Sequence, residues 1–251
     1  MSATVLALKD VHKKVANSAI ICGVDLQLQQ GERLALIGPN GAGKTTLFNL
    51  ISGRAAPSSG EILLHGRSIA GLTPFQVNRR GLARSFQVSN IFPQLSVQEN
   101  LRVALLWPLA YRYAFWRRLS GLHDASRNTA QVLEQIGLSS CRDALAGSLS
   151  YAQQRALEIG ITIAGGTDLL LLDEPTAGMS RDESAAAVAL IRRISSGKTL
   201  LMVEHDMNVV FELADRIAVL VDGQIIACDT PAAIRRNAAV QAAYLGEGGW
   251  P

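Results

Sequence analysis

Cysteines and long apolar runs are scarce in this chain, and each scarcity excludes a class of protein. The three cysteines, Cys22, Cys141 and Cys228, are odd in number and scattered, which fits neither a disulfide framework nor a metal cluster and indicates a reducing compartment. No apolar run approaches the roughly 20 residues that a membrane span requires, although 48% of the residues are hydrophobic. The N-terminus has no basic segment followed by an apolar core, so we expect no secretory signal.

Net charge and length leave the general class open. The formal charge of +3 permits an anionic membrane surface or a nucleic acid as a neighbour without requiring either. No internal repeat or low-complexity tract is visible. With 251 residues the chain can bury a sizeable core, either as one domain with a subdomain or as two small domains.

The most informative stretch is a glycine-rich turn between an apolar run and a helical pattern. The apolar run covers 34–37, and residues 47–51 have the spacing of a helix. A strand, a glycine-rich turn and a helix in this order are the context of a phosphate-binding loop, and its pattern G-x-x-x-x-G-K-T is complete here. The predicted nucleotide-binding loop consists of Gly38, Pro39, Asn40, Gly41, Ala42, Gly43, Lys44, Thr45 and Thr46.

This loop has the chemistry to hold a nucleoside triphosphate. Its glycines let successive backbone N–H groups point into one concavity, which suits a polyanion, and the following helix turns its positive end toward the same place. We expect Lys44 to contact the β- and γ-phosphates and Thr45 to offer its hydroxyl to Mg²⁺. A glycine turn can also join a strand to a helix for packing alone, but the complete pattern favours nucleotide binding.

Strands and short helices are predicted on either side of the loop. Residues 24–29 alternate between apolar and polar, as in a strand with one solvated face. Residues 61–69 are typical of a hairpin. Two short helices are expected to begin at Thr73-Pro74 and Thr230-Pro231, with threonine as the N-cap and proline at the first helical position.

Three further apolar runs predict a parallel sheet. Residues 169–172, 199–203 and 217–221 are short, apolar and separated by helical patterns, so we expect parallel strands that are covered on both faces. Residues 88–153, in contrast, have a helix-like pattern that is interrupted more often by residues typical of loops. That stretch therefore indicates an inserted helical subdomain.

The first of these runs ends in two carboxylates, Asp173 and Glu174. Open α/β sheets bind ligands at the carboxyl ends of their strands. Asp173 is therefore placed to hold Mg²⁺, and Glu174 to orient and deprotonate an attacking water. Acidic pairs at strand ends are often only solvated turn residues, and it is the phosphate loop that favours the functional interpretation.

The order of these motifs resembles the ATP-binding cassette (ABC) family of transport ATPases over essentially the whole chain. The phosphate loop matches the Walker A motif of that family, and Asp173-Glu174 match its Walker B motif and catalytic glutamate. Residues 149–155, Leu-Ser-Tyr-Ala-Gln-Gln-Arg, look like the family signature. Gln87 looks like the Q-loop glutamine, 177–180 stand at the D-loop, and His205 stands at the switch histidine.

The resemblance implies a fold, two cofactors and a set of site residues. The fold is an α/β P-loop NTPase core, mainly a parallel sheet covered by helices, with an N-terminal antiparallel β subdomain and the inserted helical subdomain. Within a single ABC ATPase domain of residues 1–251, the core and the antiparallel subdomain would comprise 1–87 and 154–251. The cofactors are ATP and Mg²⁺. Catalysis is implied for Glu174, His205 and Gln87, metal binding for Thr45, Gln87 and Asp173, and nucleotide binding outside the loop for Val15, Ser150, Tyr151, Ala152 and Gln153.

The resemblance also implies partners. In this family the signature loop closes on the ATP held by another cassette, which implies a head-to-tail dimer of two ATPase subunits. Tyr151 in the signature, the form of the D-loop and the ending 243–247 are similar to the cassettes for branched-chain amino acids, and the stretch at 104–120 to the longer of their two kinds. That likeness implies a related but different second cassette, two integral membrane permease subunits, a periplasmic solute-binding protein, no nucleic acid, and a peripheral position on the cytoplasmic face of the inner membrane.

Other functions stay open on the sequence alone. Importers of urea and short amides share much of the pattern. A non-transport cassette ATPase that acts on DNA or ribosomes commonly has two cassettes, long coiled-coil insertions or zinc modules, which are not visible here. A weakly hydrolysing regulator is suggested by Val15, which replaces the aromatic residue that stacks on adenine, and by Ala152, which replaces a signature glycine. Alanine at a positive φ would cost roughly 1 kcal/mol.

The stretch 107–118 combines five aromatic side chains with arginines. It could form a docking surface for membrane subunits or lipid headgroups. The alternative, which we favour, is that its rings pack onto the helical subdomain while the arginines are solvated.

Overall fold

The computed structural model describes residues 3–85, 91–106 and 123–244. These residues form a four-stranded antiparallel sheet, a six-stranded mainly parallel sheet and nine α-helices. None of the described helices has the length and apolar character needed to cross a membrane.

The antiparallel sheet has the strand order β2-β1-β4-β5. Its strands are β1 (Thr4–Val15), β2 (Ser18–Gln29), β4 (Ser59–Leu64) and β5 (Arg67–Ser68). The alternation predicted for 24–29 is confirmed, because Val24, Leu26 and Leu28 are buried whereas Asp25 and Gln27 are exposed. The hairpin predicted between 61 and 69 is also confirmed as the antiparallel pair β4-β5.

The larger sheet has the order β10-β9-β3-β8-β7-β6. All neighbouring strands run parallel except β9 and β10. The three predicted apolar runs are therefore confirmed as parallel strands, whereas the two edge strands were not predicted. The strands are β3 (Arg33–Ile37), β6 (Leu82–Arg84), β7 (Leu169–Asp173), β8 (Thr199–Val203), β9 (Arg216–Val221) and β10 (Gln224–Asp229).

The parallel sheet is buried on both faces, as predicted. Leu170 and Leu172 of β7 belong to a hydrophobic cluster with residues of the helices, while Leu169 and Leu171 belong to a second cluster with the antiparallel sheet. The period of two along each strand sends successive side chains to opposite faces. One face is thus covered by helices and the other by α1 together with the antiparallel sheet. The helices are α1 (Lys44–Ile51), α2 (Pro74–Asn78), α3 (Val97–Leu106), α4 (His123–Ile136), α5 (Tyr151–Ala164), α6 (Arg181–Ile194), α7 (Met207–Leu213), α8 (Pro231–Arg236) and α9 (Ala238–Tyr244).

The described residues of the stretch 88–153 include α3 and α4, and both helices pack against α5. They meet closely at Gly160, where a Cβ would lie 2.7 Å from Ile136 Cδ1 and 3.2 Å from Leu101 Cδ2. The predicted boundary at 153/154 falls inside α5, which continues to Ala164. The reason is local, since Ser150 caps the helix with a reciprocal side-chain bond to Gln153, so that the helix begins rather than ends there.

Candidate active site

Three of the predicted site segments lie at the carboxyl edge of the parallel sheet. The phosphate loop follows β3, Glu174 follows β7, and His205 comes two residues after the end of β8. Because β8 lies between β3 and β7, the three segments leave the sheet side by side. The strand order therefore assembles residues that are far apart in the sequence at the edge where such sheets bind ligands.

The phosphate loop needs glycine at two positions. At Gly38 a Cβ would lie 2.0 Å from the carbonyl oxygen of Leu220, which is too close for any other residue. At Gly43 the backbone has a φ of +103°, and a Cβ would lie 2.9 Å from Ile21 Cδ1. Both glycines thus allow the backbone to pass close to neighbouring segments, as the tight turn of a phosphate-binding loop requires.

Lys44 is buried at the start of α1, with its side chain folded over the loop. Its Nζ donates hydrogen bonds of 2.6 Å to the carbonyl oxygen of Gly38 and 3.0 Å to that of Pro39. These bonds hold the ammonium group against the loop that would receive the phosphates. The next residue, Thr45, is exposed on the first turn of the same helix.

Asp173 ends β7 as a buried carboxylate in an ion pair with Arg84. The Arg84 guanidinium donates to Asp173 Oδ2 at 2.7 Å and also contacts α1, at 2.8 Å from Asn49 Oδ1 and 2.9 Å from Ser52 Oγ. Both charged side chains are nearly inaccessible, with 5% and 2% exposure. Asp173 is thereby fixed to the helix that follows the phosphate loop.

The second oxygen of Asp173 is available to a cation. Asp173 Oδ1 is buried and has no hydrogen-bond partner in the described part of the chain. A buried carboxylate oxygen without a partner is costly, and carboxylate and hydroxyl oxygens are the ligands that Mg²⁺ prefers. The oxygen atoms of Asp173 and Thr45 are therefore of the chemical kind that suits Mg²⁺.

Glu174 and His205 form a contact in front of the sheet. Glu174 Oε1 lies 3.1 Å from His205 Nε2, although the residues are 31 positions apart. Both side chains are partly accessible, with 25% and 48% exposure for the glutamate and the histidine. A cavity of about 740 Å³ opens beside them and is also lined by the D-loop. An acid and an imidazole at the mouth of a cavity can share the handling of a water molecule and a phosphate.

The predicted signature residues begin α5. Ser150 is the N-cap, and Tyr151, Ala152 and Gln153 form the first turn. The Tyr151 hydroxyl donates to the carbonyl oxygen of Ala177 at 3.0 Å and accepts from Arg155 Nε at 3.2 Å, so the signature touches the D-loop of the same chain.

In this conformation Ala152 does not have the positive φ that would strain an alanine. Ala152 lies in the first turn of the helix and is not among the non-glycine residues with a positive φ. Its methyl group therefore costs no backbone strain in this conformation. Glu174, in contrast, has a φ of +48°.

The roles predicted for Val15 and Gln87 are not tested by the structure. Val15 ends β1 next to the hairpin turn, opposite Ser18, and is 55% exposed. Its contact with adenine stays a prediction. Gln87 and the stretch 107–118 lie outside the described residues, so the roles suggested for them stay predictions as well.

Sequence reasoning missed two charged residues of the site, Arg84 and Glu204. Arg84 pairs with Asp173, and Glu204 is buried beside His205 with bonds to Thr176. A signal for both was present, because each is a charged residue at or directly after the end of a strand that is otherwise apolar.

Residues 21–177 match the family model described as "ABC transporter", and residues 224–249 match the model described as "Branched-chain amino acid ATP-binding cassette transporter". The chain is 38% identical to the high-affinity branched-chain amino acid transport ATP-binding protein LivG of Salmonella typhimurium, and 36% identical to BraF of Pseudomonas aeruginosa. Each comparison covers 98% of this chain and 100% of the relative.

Solved structures agree with these relatives. A nucleotide-free ATP-binding cassette from an ABC transporter superposes with a TM-score of 0.85 at 25% identity, over 97% of this chain and 100% of that one. The ADP conformation of an ATP-binding cassette gives a TM-score of 0.85 at 26% identity, over 97% and 99% of the two chains. With the family model covering more than half of its length and relatives matched end to end, the chain belongs to the ABC transporter family of ATP-binding, ATP-hydrolysing proteins.

Proposed function

We propose that the chain is the ATP-hydrolysing subunit of an importer for branched-chain or related amino acids. The observation that carries this proposal is the end-to-end identity of 36–38% to BraF and LivG, which are named as branched-chain amino acid transport proteins. The C-terminal match at 224–249 supports the same solute class independently of the nucleotide site. Since the residues to which we assign a task act on ATP, the solute itself would be handled by partner membrane subunits.

The proposed chemistry assigns a separate task to each residue. Lys44 and the backbone N–H groups of the loop neutralise the β- and γ-phosphates. Thr45 and Asp173 hold Mg²⁺, with Gln87 as a further ligand, and the ion supplies further charge neutralisation at the phosphates. Glu174 accepts the proton of the attacking water, and His205 holds the γ-phosphate. The contact of 3.1 Å between Glu174 and His205 is compatible with both tasks at one phosphate.

The proposed assembly is a head-to-tail dimer with a related but different cassette. Ser150, Tyr151, Ala152 and Gln153 lie in the helical part, and we infer that they close on the nucleotide held by the partner's phosphate loop. Two integral membrane permease subunits and, indirectly, a periplasmic solute-binding protein complete the importer. The chain would then lie peripherally on the cytoplasmic face of the inner membrane.

Co-purification and hydrolysis together test the proposal. A tag on this chain should recover integral membrane subunits and a second cassette from detergent-solubilised membranes, and uptake of leucine, isoleucine or valine should be lost when the gene is deleted. Glu174→Gln should retain ATP binding but stall hydrolysis, because an amide cannot accept the proton from water. Urea uptake instead of amino acid uptake would reassign the solute, and ribosomal proteins or DNA in place of membrane subunits would reject the transport function.

A further inference from the structure

Glu204 is a buried acid beside His205 that has no task in the mechanism above. It directly follows β8 and is 3% exposed. Its Oε1 accepts two hydrogen bonds from Thr176, at 2.9 Å from the backbone N–H and 2.6 Å from the hydroxyl. Its Oε2 accepts one from the backbone N–H of His205 at 3.0 Å. Each carboxylate oxygen is thus engaged by a different segment of the chain.

These bonds join the two segments that carry the catalytic pair. Thr176 comes two residues after Glu174, and His205 is the neighbour of Glu204 itself. The side chains of Glu174 and His205 meet at 3.1 Å. Loss of the hydrogen bonds of Glu204 would therefore release the backbone next to Glu174 as well as the backbone of His205.

The backbone of Glu174 needs such a restraint. Its φ of +48° is unfavourable for a residue with a Cβ, and such conformations persist where the surroundings over-determine them. On one side the Glu174 N–H donates to the carbonyl oxygen of Val203 at 2.9 Å. On the other side the chain is fixed at Thr176 by Glu204. The side chain of Glu174 is partly exposed, so core packing alone does not hold it.

Filling space does not explain an acid at this position. A buried carboxylate is unfavourable unless hydrogen bonds compensate it, and an apolar residue would fill the same volume without that requirement. The three bonds lead only to the segments on either side of Glu174 and His205. We propose that Glu204 is a positioning residue that holds these two side chains at the mutual distance that ATP hydrolysis requires. This inference rests on the proposed function, in which Glu174 and His205 act on water and phosphate.

Paired variants test the role in the tagged complex recovered from membranes. Glu204→Gln keeps the shape but turns an NH₂ group toward a backbone N–H, so kcat should fall about tenfold or more while KM for ATP changes less than twofold. Thr176→Val should lower kcat in the same way, and Thr176→Ser, which keeps the hydroxyl, should restore it. Glu204→Gln and Thr176→Val both break the hydrogen bonds between these two residues. The fold-decrease of kcat in the double variant should therefore be smaller than the product of the fold-decreases in the two single variants.

A matched control and a readout other than activity separate positioning from folding. Glu61→Gln is the control, because Glu61 is an exposed acid on β4 of the antiparallel sheet and does not line the cavity beside Glu174 and His205. It should leave kcat unchanged. Amide hydrogen exchange at Thr176 and His205 should accelerate in Glu204→Gln and stay at the wild-type rate in Glu61→Gln. Counting nucleotide-binding sites by titration gives kcat per folded site.

The outcomes distinguish this inference from the proposed function. Wild-type kcat per folded site in Glu204→Gln would overturn the positioning role, as would fully multiplicative losses in the double variant. If Glu174→Gln is inactive at the same time, the proposed function stands without it. If Glu174→Gln hydrolyses ATP at the wild-type rate, the proposed function itself fails.

Discussion

Replacing Arg84 with methionine would leave the Asp173 carboxylate buried without its cation. Arg84 and Asp173 are 5% and 2% exposed, and their ion pair of 2.7 Å connects β6 to the end of β7. Methionine is apolar and flexible but shorter than arginine, so the change removes the charge and the hydrogen bonds together with part of the buried volume. The loss falls on a carboxylate whose other oxygen already has no partner in the described part of the chain.

The expected loss follows from the burial of the pair. Breaking a buried ion pair by removing one partner costs about 3–5 kcal/mol, because an uncompensated charge remains. For a domain of this size each kcal/mol lowers the melting temperature by about 2–4 °C. Arg84→Met should therefore lower the melting temperature by about 6–20 °C. The loss should be smaller in the presence of Mg²⁺ and ATP, since a bound cation would again compensate the carboxylate.

Thermal and urea unfolding of four proteins measure the effect: the wild type, Arg84→Met, Asp173→Asn and the double variant. In the double variant neither charge is left unpaired, so it should regain about half of the loss of Arg84→Met or more. Two results would refute the reasoning. One is a melting temperature for Arg84→Met within about 2 °C of the wild type, well under the loss expected for a buried pair. The other is a double variant whose loss equals the sum of the single losses.

Three further substitutions test the nucleotide site and the signature. Lys44→Ala should abolish tight ATP binding, measured by equilibrium titration, because it removes the ammonium group held over the loop; unchanged affinity would reject the phosphate-loop assignment. His205→Ala should lower kcat more than it changes ATP affinity, and steady-state kinetics with the opposite pattern would leave His205 a packing residue. Ala152→Gly should destabilise the start of α5 by about 0.5–1 kcal/mol without raising turnover, because Ala152 is helical; a several-fold gain in turnover would show that the closed state needs a positive φ there.

The strands of the parallel sheet were predictable because they lie in the middle of a sheet that is buried on both faces. Such strands are continuous apolar runs, as at 169–172 and 199–203. The edge strands carry a weaker pattern. β6 has only three residues, and β10 is half-exposed with a mixed sequence. A run of three residues cannot display a period, so periodicity does not identify it.

The pairings inside the site were not predictable, because they depend on the strand order. Arg84 and Asp173 are 89 positions apart, and Thr176 and Glu204 are 28 apart. They meet only because β6, β7 and β8 are neighbours in the sheet. Local patterns in the sequence predict the phosphate loop and the acidic end of β7. They do not predict that Arg84 and Glu204 hold these segments, because those contacts depend on the strand order.

The positive φ considered for Ala152 is not found in this conformation. That expectation treated the signature as a glycine loop, whereas Ser150 caps a helix whose first turn contains Ala152. The capping pattern of serine followed three residues later by glutamine was visible in the sequence and indicates a helix start. The local signal was therefore present, and the likeness to a glycine-rich motif outweighed it.

The bond from Tyr151 to Ala177 has a consequence for chimeric cassettes. The tyrosine hydroxyl satisfies a D-loop carbonyl at 3.0 Å, and its ring packs beside Gly178, whose φ of +76° favours glycine. A signature segment grafted from a cassette with glycine in place of Tyr151 would take away both the hydroxyl and the ring. Recombination between cassettes should therefore preserve activity best when residues 149–155 and 177–180 are inherited together, as one unit of exchange.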